Sequence, residues 1–159
     1  NNKNLSDYWQ QVSLQDQSNL VLEQFSVLEN IALFYGDNSF HRLQLFQKSV
    51  QRLDFESSLH KSASALSGGE RQKLSLIRCL IKPASLYIFD EATASMDKET
   101  EQKALTLLNE LPRAIVLFVS HHKQVAHQFD EVIELTTLGA GQSTHKMLVK
   151  EALVQGEPA

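Results

Sequence analysis

Residues 66–97 read LSGGERQKLSLIRCLIKPASLYIFDEATASMD, and the rest of the chain is arranged around two features of that stretch. The first is the opening Leu66, Ser67, Gly68, Gly69 and Glu70, followed by apolar residues at helical spacing. A helix N-terminus presents unpaired backbone N–H groups and the positive end of the helix dipole, and two glycines let an anion approach the bare backbone. Ser67 and Glu70 also form the S-x-x-E pattern of a capping box, which needs no ligand. The two readings are compatible, because one hydroxyl can accept from the N3 amide and donate to a phosphate. The second feature is the apolar run Leu86, Tyr87, Ile88 and Phe89, which ends in Asp90 and Glu91. It reads as a buried parallel strand whose carboxyl end faces a ligand crevice. There Asp90 would hold Mg²⁺ and Glu91 would orient or deprotonate water, although an acidic pair after a strand is by itself more often a cap or a solvated loop.

Ahead of Leu66, the segment Glu56 to Ala65 turns to Ser, Ala and Lys, a loop leading into a helix that runs to about Lys82 and stops at Pro83. Leu74, Leu76, Ile77, Leu80 and Ile81 share one broad face of that helix. Arg71, Ser75, Arg78 and Lys82 take the other and read as solvated, with Cys79 on the polar edge and Lys73 near the place a phosphate would occupy. Downstream, Asp97 caps a helix with Glu99 and Glu101 in its first turn and Ala104, Leu107, Leu108 and Leu111 as its buried stripe, ended by Pro112. Ala114 to Val119 is a continuous apolar strand running into Ser120, His121 and His122; Asp130 to Leu135 reads as a further strand, and Ser143 to Val154 as a closing helix. Upstream, residues 1–9 are polar and carry no pattern, whereas Val12 and Leu14 alternate with polar neighbours in a short strand before Gln15, Asp16 and Gln17. Ser26 to Glu29 is a second capping box, opening a helix through Phe34 before Gly36 and Asp37. A longer helix is expected from about Phe40 to Phe55, with Leu43, Phe46, Val50 and Leu53 at helical spacing. His41 and His60 read as exposed and incidental, and no pair of histidines or cysteines has metal-ligand spacing.

In this order, LSGGE, LYIFDEATA and SMD resemble the ATP-binding domain of ABC transporters. LSGGE is similar to the family's signature sequence, LYIFDE to its Walker B strand with the catalytic glutamate, and SMD to its D-loop. The resemblance implies an α/β P-loop NTPase fold with a mostly parallel sheet and a helical subdomain. Residues 1–159 would form part of that domain, with 26–82 as the helical subdomain ending in the signature helix. It further implies ATP and Mg²⁺ as cofactors, with ATP sandwiched between two such domains. Ser67, Gly68 and Gly69 would grip the γ-phosphate bound by the facing domain, with Glu70 and Asp97 in the same nucleotide-binding motifs. Asp90 and the Q-loop glutamine would serve Mg²⁺, Glu91 would act on water, and His121, aligned with the switch histidine, would stabilise the transferred phosphoryl group. Gln15 fits the strand end and Gln17 fits the spacing to Glu29, Asn30 and Ile31, which resemble the family's ENI segment; both are candidates for the Q-loop position. The implied partners are a second ATP-binding domain and a membrane-spanning domain, at the cytoplasmic face of the membrane. ENI with DEATASMD is similar to exporters.

No G-x-x-x-x-G-K-[ST] occurs, since none of the glycines is followed at once by Lys and then Ser or Thr. The order of motifs implies that this Walker A segment lies upstream, as a further partner, and that the chain by itself is not a competent ATPase. Without the strand that precedes Walker A, the strands at 86–89 and 114–119 are expected to leave ladder groups and apolar faces uncovered. Two other readings remain. ATPases of the chromosome-maintenance type carry LSGGE in a C-terminal lobe, but no sustained heptads precede it here. A regulatory nucleotide-binding module would bind a partner without turnover. The 159 residues are one domain's worth, and the net charge of −4 argues against a nucleic-acid surface spread over the whole chain. No apolar run approaches the ~20 residues of a membrane span. A single Cys79 excludes an internal disulfide and fits a reducing compartment. Asn1 in place of Met suggests a piece of a longer chain or processing, with no targeting segment visible there.

Overall fold

A computed structural model describes residues 4–33, 40–111, 113–120, 123–136 and 144–151. Among these residues five strands form one sheet: β1 (Val12–Gln15), β2 (Leu86–Asp90), β3 (Ile115–Ser120), β4 (Glu131–Thr136) and β5 (Thr144–Glu151), in the order β1-β2-β3-β5-β4. The first three run parallel, with Leu14 beside Ile88 and Ile88 beside Leu117, while β5 is antiparallel to both β3 and β4. The helices are α1 (Leu5–Gln10), α2 (Val27–Ala32), α3 (Phe40–Arg52), α4 (Gly68–Ile81) and α5 (Lys98–Asn109).

Parallel neighbours need crossovers, and these are right-handed. The crossover from β1 to β2 carries α4 and that from β2 to β3 carries α5; both step the same way across the sheet, so both helices fall on one face. Burial follows. Ser13, Gln15, Tyr87, Phe89, Val116, Phe118 and Ser120 point to the helices and are buried. Their alternating neighbours form the opposite face, where Leu14 and Ile115 are exposed and Ile88, Asp90, Leu117 and Val119 are half-buried. The core is a layer between sheet and helices, built on Leu74, Ile77, Leu80, Ile81, Phe89, Leu105, Leu108 and Phe118.

Several expectations need correction. The closing helix is β5 instead: as a strand, the segment supplies ladders to both β3 and β4 and sets Leu148, fully buried, opposite Phe118. A helix there would leave the outer edge of β3 unpaired. The ladders of β2 and β3 are consequently paired on both sides, and what stays uncovered among the described residues is a sheet face. Leu5 to Gln10, read as patternless, is a helix whose N-cap Asn4 and Asp7 close a capping box. On α4, Ser75, Arg78 and Cys79 are buried, not solvated. The loop 16–22 folds over them, and the Arg78 guanidinium donates to the Leu20 carbonyl while Ser13 Oγ donates to the Cys79 carbonyl at 2.8 Å. Lys73 turns away from the helix N-terminus and donates to the Leu53 carbonyl at 2.7 Å, tying α4 to the end of α3. The expected extension of α2 to Phe34, and Gly36, Asp37, Pro112, His121 and His122, lie outside the described residues, as does the side chain of His41.

Candidate active site

Ser67 has extended backbone angles and caps α4: its Oγ accepts from the Glu70 N–H at 3.3 Å while Glu70 Oε2 accepts from the Ser67 N–H at 3.0 Å. The Glu70 carboxylate also takes the Lys61 ammonium and the Ser58 hydroxyl, each at 2.7 Å. These contacts, Lys61 foremost and then the Ser67 amide and Ser58, hold its pKa down at about 2. Glu70 therefore fixes the start of the helix and its carboxylate is fully engaged. Ser67 and Gly68 are exposed. A Cβ on Gly68 would meet nothing within 4 Å, whereas one on Gly69 would stand 3.2 Å from the Ser95 carbonyl oxygen. A side chain at 69 would thus press on the loop after β2; at 68 nothing internal asks for glycine.

β2 ends at Asp90, which faces the open side of the sheet. Glu91 then adopts φ 50, a left-handed backbone uncommon for a residue with a side chain. Both its peptide groups are pinned. Its N–H donates to the Val119 carbonyl at 3.0 Å, and its carbonyl accepts from Gln72 Nε2 of α4 at 3.0 Å. The loop after it is held by Ser95 N–H donating to Gln72 Oε1 at 2.7 Å and by Thr93 Oγ1 donating to buried Glu101 of α5 at 2.8 Å. Asp97 caps α5 through the Thr100 N–H and hydroxyl at 2.9 and 2.7 Å, and these bonds lower its pKa. Gly69 and Gln72 of α4 thus meet the loop that runs from Glu91 to Ser95.

Gln15 ends β1, is buried, donates to Asn19 Oδ1 at 3.2 Å and leaves its buried Oε1 without a partner. Gln17 lies exposed in the following turn. Strand alternation sets Gln15 on the helix-covered face with Phe89, its register partner, and Asp90 on the other, so the two expected Mg²⁺ ligands do not share a face. A carboxylate on the open face suits a hard cation that keeps its own waters and phosphate oxygens, and Asp90 fits Mg²⁺ in that way. Among the described residues no group of three His, Cys, Asp or Glu side chains is arranged to hold a metal ion.

Gln72 of α4 carries a signal in the sequence itself. It stands one turn before Leu76 on the apolar stripe, and a polar side chain on a buried stripe must have partners. It is 2 % exposed, and its two bonds connect α4 directly to the loop after β2.

The family model described as ABC transporter matches residues 1–94. Among curated proteins, the chain is 35 % identical over 99 residues to the lactococcin-G-processing and transport ATP-binding protein LagD of Lactococcus lactis, covering 62 % of this chain and 14 % of that protein. It is 34 % identical over 119 residues to the lactococcin-A transport/processing protein LcnC of the same species, covering 68 % and 16 %. The match to the macrolide export ATP-binding/permease protein MacB of Escherichia coli is 32 % over 120 residues, covering 72 % and 19 %. The chain thus spans less than a fifth of each of these relatives. Among solved structures, the dimeric bacterial ABC transporter cassette MJ0796 superposes with a TM-score of 0.65 at 21 % identity, covering 80 % of this chain and 61 % of that one. An ATP-binding subunit of an ABC transporter gives 0.61 at 20 %, covering 65 % and 45 %. At that identity the likeness concerns the fold.

Proposed function

The chain belongs to the ABC transporter family, and from that premise we propose that it is the later part of an ATP-binding domain that drives export across a membrane. Residues 26–82 form the helical subdomain ending in α4, and the Walker A segment, a second ATP-binding domain and a membrane-spanning domain complete the machine at the cytoplasmic face. The observation that carries this reading is the pinned Glu91: a carboxylate at the carboxyl end of a parallel strand, on a left-handed backbone held from both sides, is preorganised for chemistry at low reorganisation cost. Names of the relatives that include ATP-binding and export support it.

In this reading Ser67 Oγ and the free N–H groups of the first turn of α4 bind the γ-phosphate held by the facing domain, and Gly68 leaves room for it. Asp90 would hold Mg²⁺, which supplies charge neutralisation on the phosphates. Glu91 accepts a proton from the attacking water, and His121 contributes to stabilising the transferred phosphoryl group. Gln15 serves the Q-loop role ahead of Gln17, with its unpartnered Oε1 available once the bond to Asn19 opens. Glu70 and Asp97 shape the two helix starts that face the nucleotide. By itself the 159-residue chain is inactive in this reading, because it contains no Walker A sequence.

The test is Glu91→Gln in the full-length protein that carries this sequence. The amide keeps size and hydrogen bonding and removes the base, so ATP binding is retained and turnover falls by at least ~10²-fold. Turnover near wild type would remove Glu91 from the role and the proposal with it.

A further inference from the structure

Gln72 lies at the second turn of α4, buried, with its amide spent on two backbone groups of the loop after β2: Nε2 donates to the Glu91 carbonyl at 3.0 Å and Oε1 accepts from the Ser95 N–H at 2.7 Å. Only this orientation of the amide satisfies both partners, since the reverse would set oxygen against carbonyl and N–H against N–H. The Glu91 peptide is one the chain does not hold by intrinsic preference, with φ at 50, and the bond to Gln72 is its restraint on the α4 side, opposite the Val119 carbonyl on the β3 side. One residue-turn away, Gly69 packs so closely on Ser95 that a Cβ would come within 3.2 Å of its carbonyl oxygen. The N-terminal turns of α4 and the 91–95 loop are therefore in register with each other at two points.

We propose that Gln72 is a positioning residue: it fixes the backbone from which the Glu91 carboxylate projects to the first turns of α4, so that the placement of the base depends on where α4 sits. This rests on the reading of Glu91 as the base that accepts the water proton. A displacement of the Ser67 to Gly69 turn on engaging a phosphate is carried by the Gln72 side chain to Glu91 and Ser95 together. No other side-chain type of this length offers one donor and one acceptor at the same two points: Met offers neither, and an ionised Glu offers two acceptors, one of them facing the Glu91 carbonyl.

The experiment uses the full-length protein with Gln72→Met, Gln72→Glu and, as reference, Glu91→Gln, measuring kcat and KM for ATP across about pH 6 to 8.5. Gln72→Met keeps the volume and removes both bonds; kcat falls roughly tenfold while KM changes by less than about twofold, which a general loss of packing would not produce in the folded fraction. Gln72→Glu adds a signature. A buried carboxyl facing a carbonyl has a raised pKa, and when protonated it again offers an O–H to Glu91 and an oxygen to Ser95. Its kcat relative to wild type therefore climbs as the pH falls. Wild-type kcat in Gln72→Met, or a flat ratio for Gln72→Glu, overturns the inference. With Glu91→Gln inactive in the same assay, that failure leaves the reading of Glu91 standing; with Glu91→Gln active, both fall.

Discussion

Gly68 and Gly69 differ in what surrounds them: a side chain at 69 would crowd the Ser95 carbonyl, and one at 68 would meet open space. An ordinary residue is favoured over glycine in a helix by up to about 1 kcal/mol, and at Gly68 no internal contact explains the exception. Gly68→Asp is therefore expected to change unfolding free energy by no more than ~0.5 kcal/mol. In the full-length protein, on the proposed reading, it sets a carboxylate at the site of the facing phosphate, and like charges there cost the closed dimer its stability. ATP-dependent dimerisation measured by size-exclusion chromatography should be lost while the unfolding midpoint is kept; dimerisation at wild-type nucleotide concentrations would reduce the LSGGE turn to a helix cap. Cys79 is buried on α4. Burial pushes its thiol up to about 12, so at neutral pH it is a protonated side chain beside Ser13 and no nucleophile. Its labelling by a thiol reagent should follow global unfolding in denaturant, and rapid modification of the native protein would show that the loop 16–22 does not cover it.

At the scale of elements, α4 is anchored at its start by Glu70, whose carboxylate binds Lys61, Ser58 and the Ser67 amide. Its pKa is lowered from 4.5 to about 2, so the folded state favours the ionised form. That contribution is fully present above pH 4.5 and is lost as the pH falls from there toward 2. Wild type should exceed Glu70→Gln in stability at neutral pH, and denaturant midpoints of the two should converge across that acid range; parallel curves would mean that the carboxylate contributes nothing as an anion. This helix start, β2 and the α5 cap were legible because each is written locally, in S-x-x-E, in a run of large apolar residues and in Asp97 before Glu99 and Glu101. β5 was not, because Thr144 to Glu151 has helix-compatible spacing and only the unfilled edge of β3 makes it a strand. The burial of Arg78 was equally invisible: its partner is a carbonyl 58 residues away, supplied by a loop without pattern. For the site, Asp90 and Glu91 could be read as residues, but the opposite facing of Gln15 and Asp90 follows from strand register, which no local motif encodes.

The two crossovers that place α4 and α5 on one side leave the other side of β1, β2 and β3 without a helix among the described residues. Leu14 is 56 % and Ile115 45 % exposed there, beside half-buried Ile88, Leu117 and Val119. Parallel sheets are normally covered on both faces, and covering a large apolar side chain contributes about 1.5–3 kcal/mol, so a few such residues rival the net stability of a domain. The ladders themselves are complete from β1 to β4, and the edge strands are short. Association of the 159-residue chain by itself should therefore proceed through the apolar face and not through strand addition. Light scattering should show mass rising with protein concentration, and Leu14→Lys with Ile115→Lys should suppress it, because two ammonium groups on this face oppose its burial at no cost to the helix-side core. Both positions already face solvent, so the double variant should unfold at about the wild-type denaturant concentration. A chain that stays monomeric without these changes would show the half-buried residues of the face to be cover enough. Association undiminished by them would assign it to the free edge of β1.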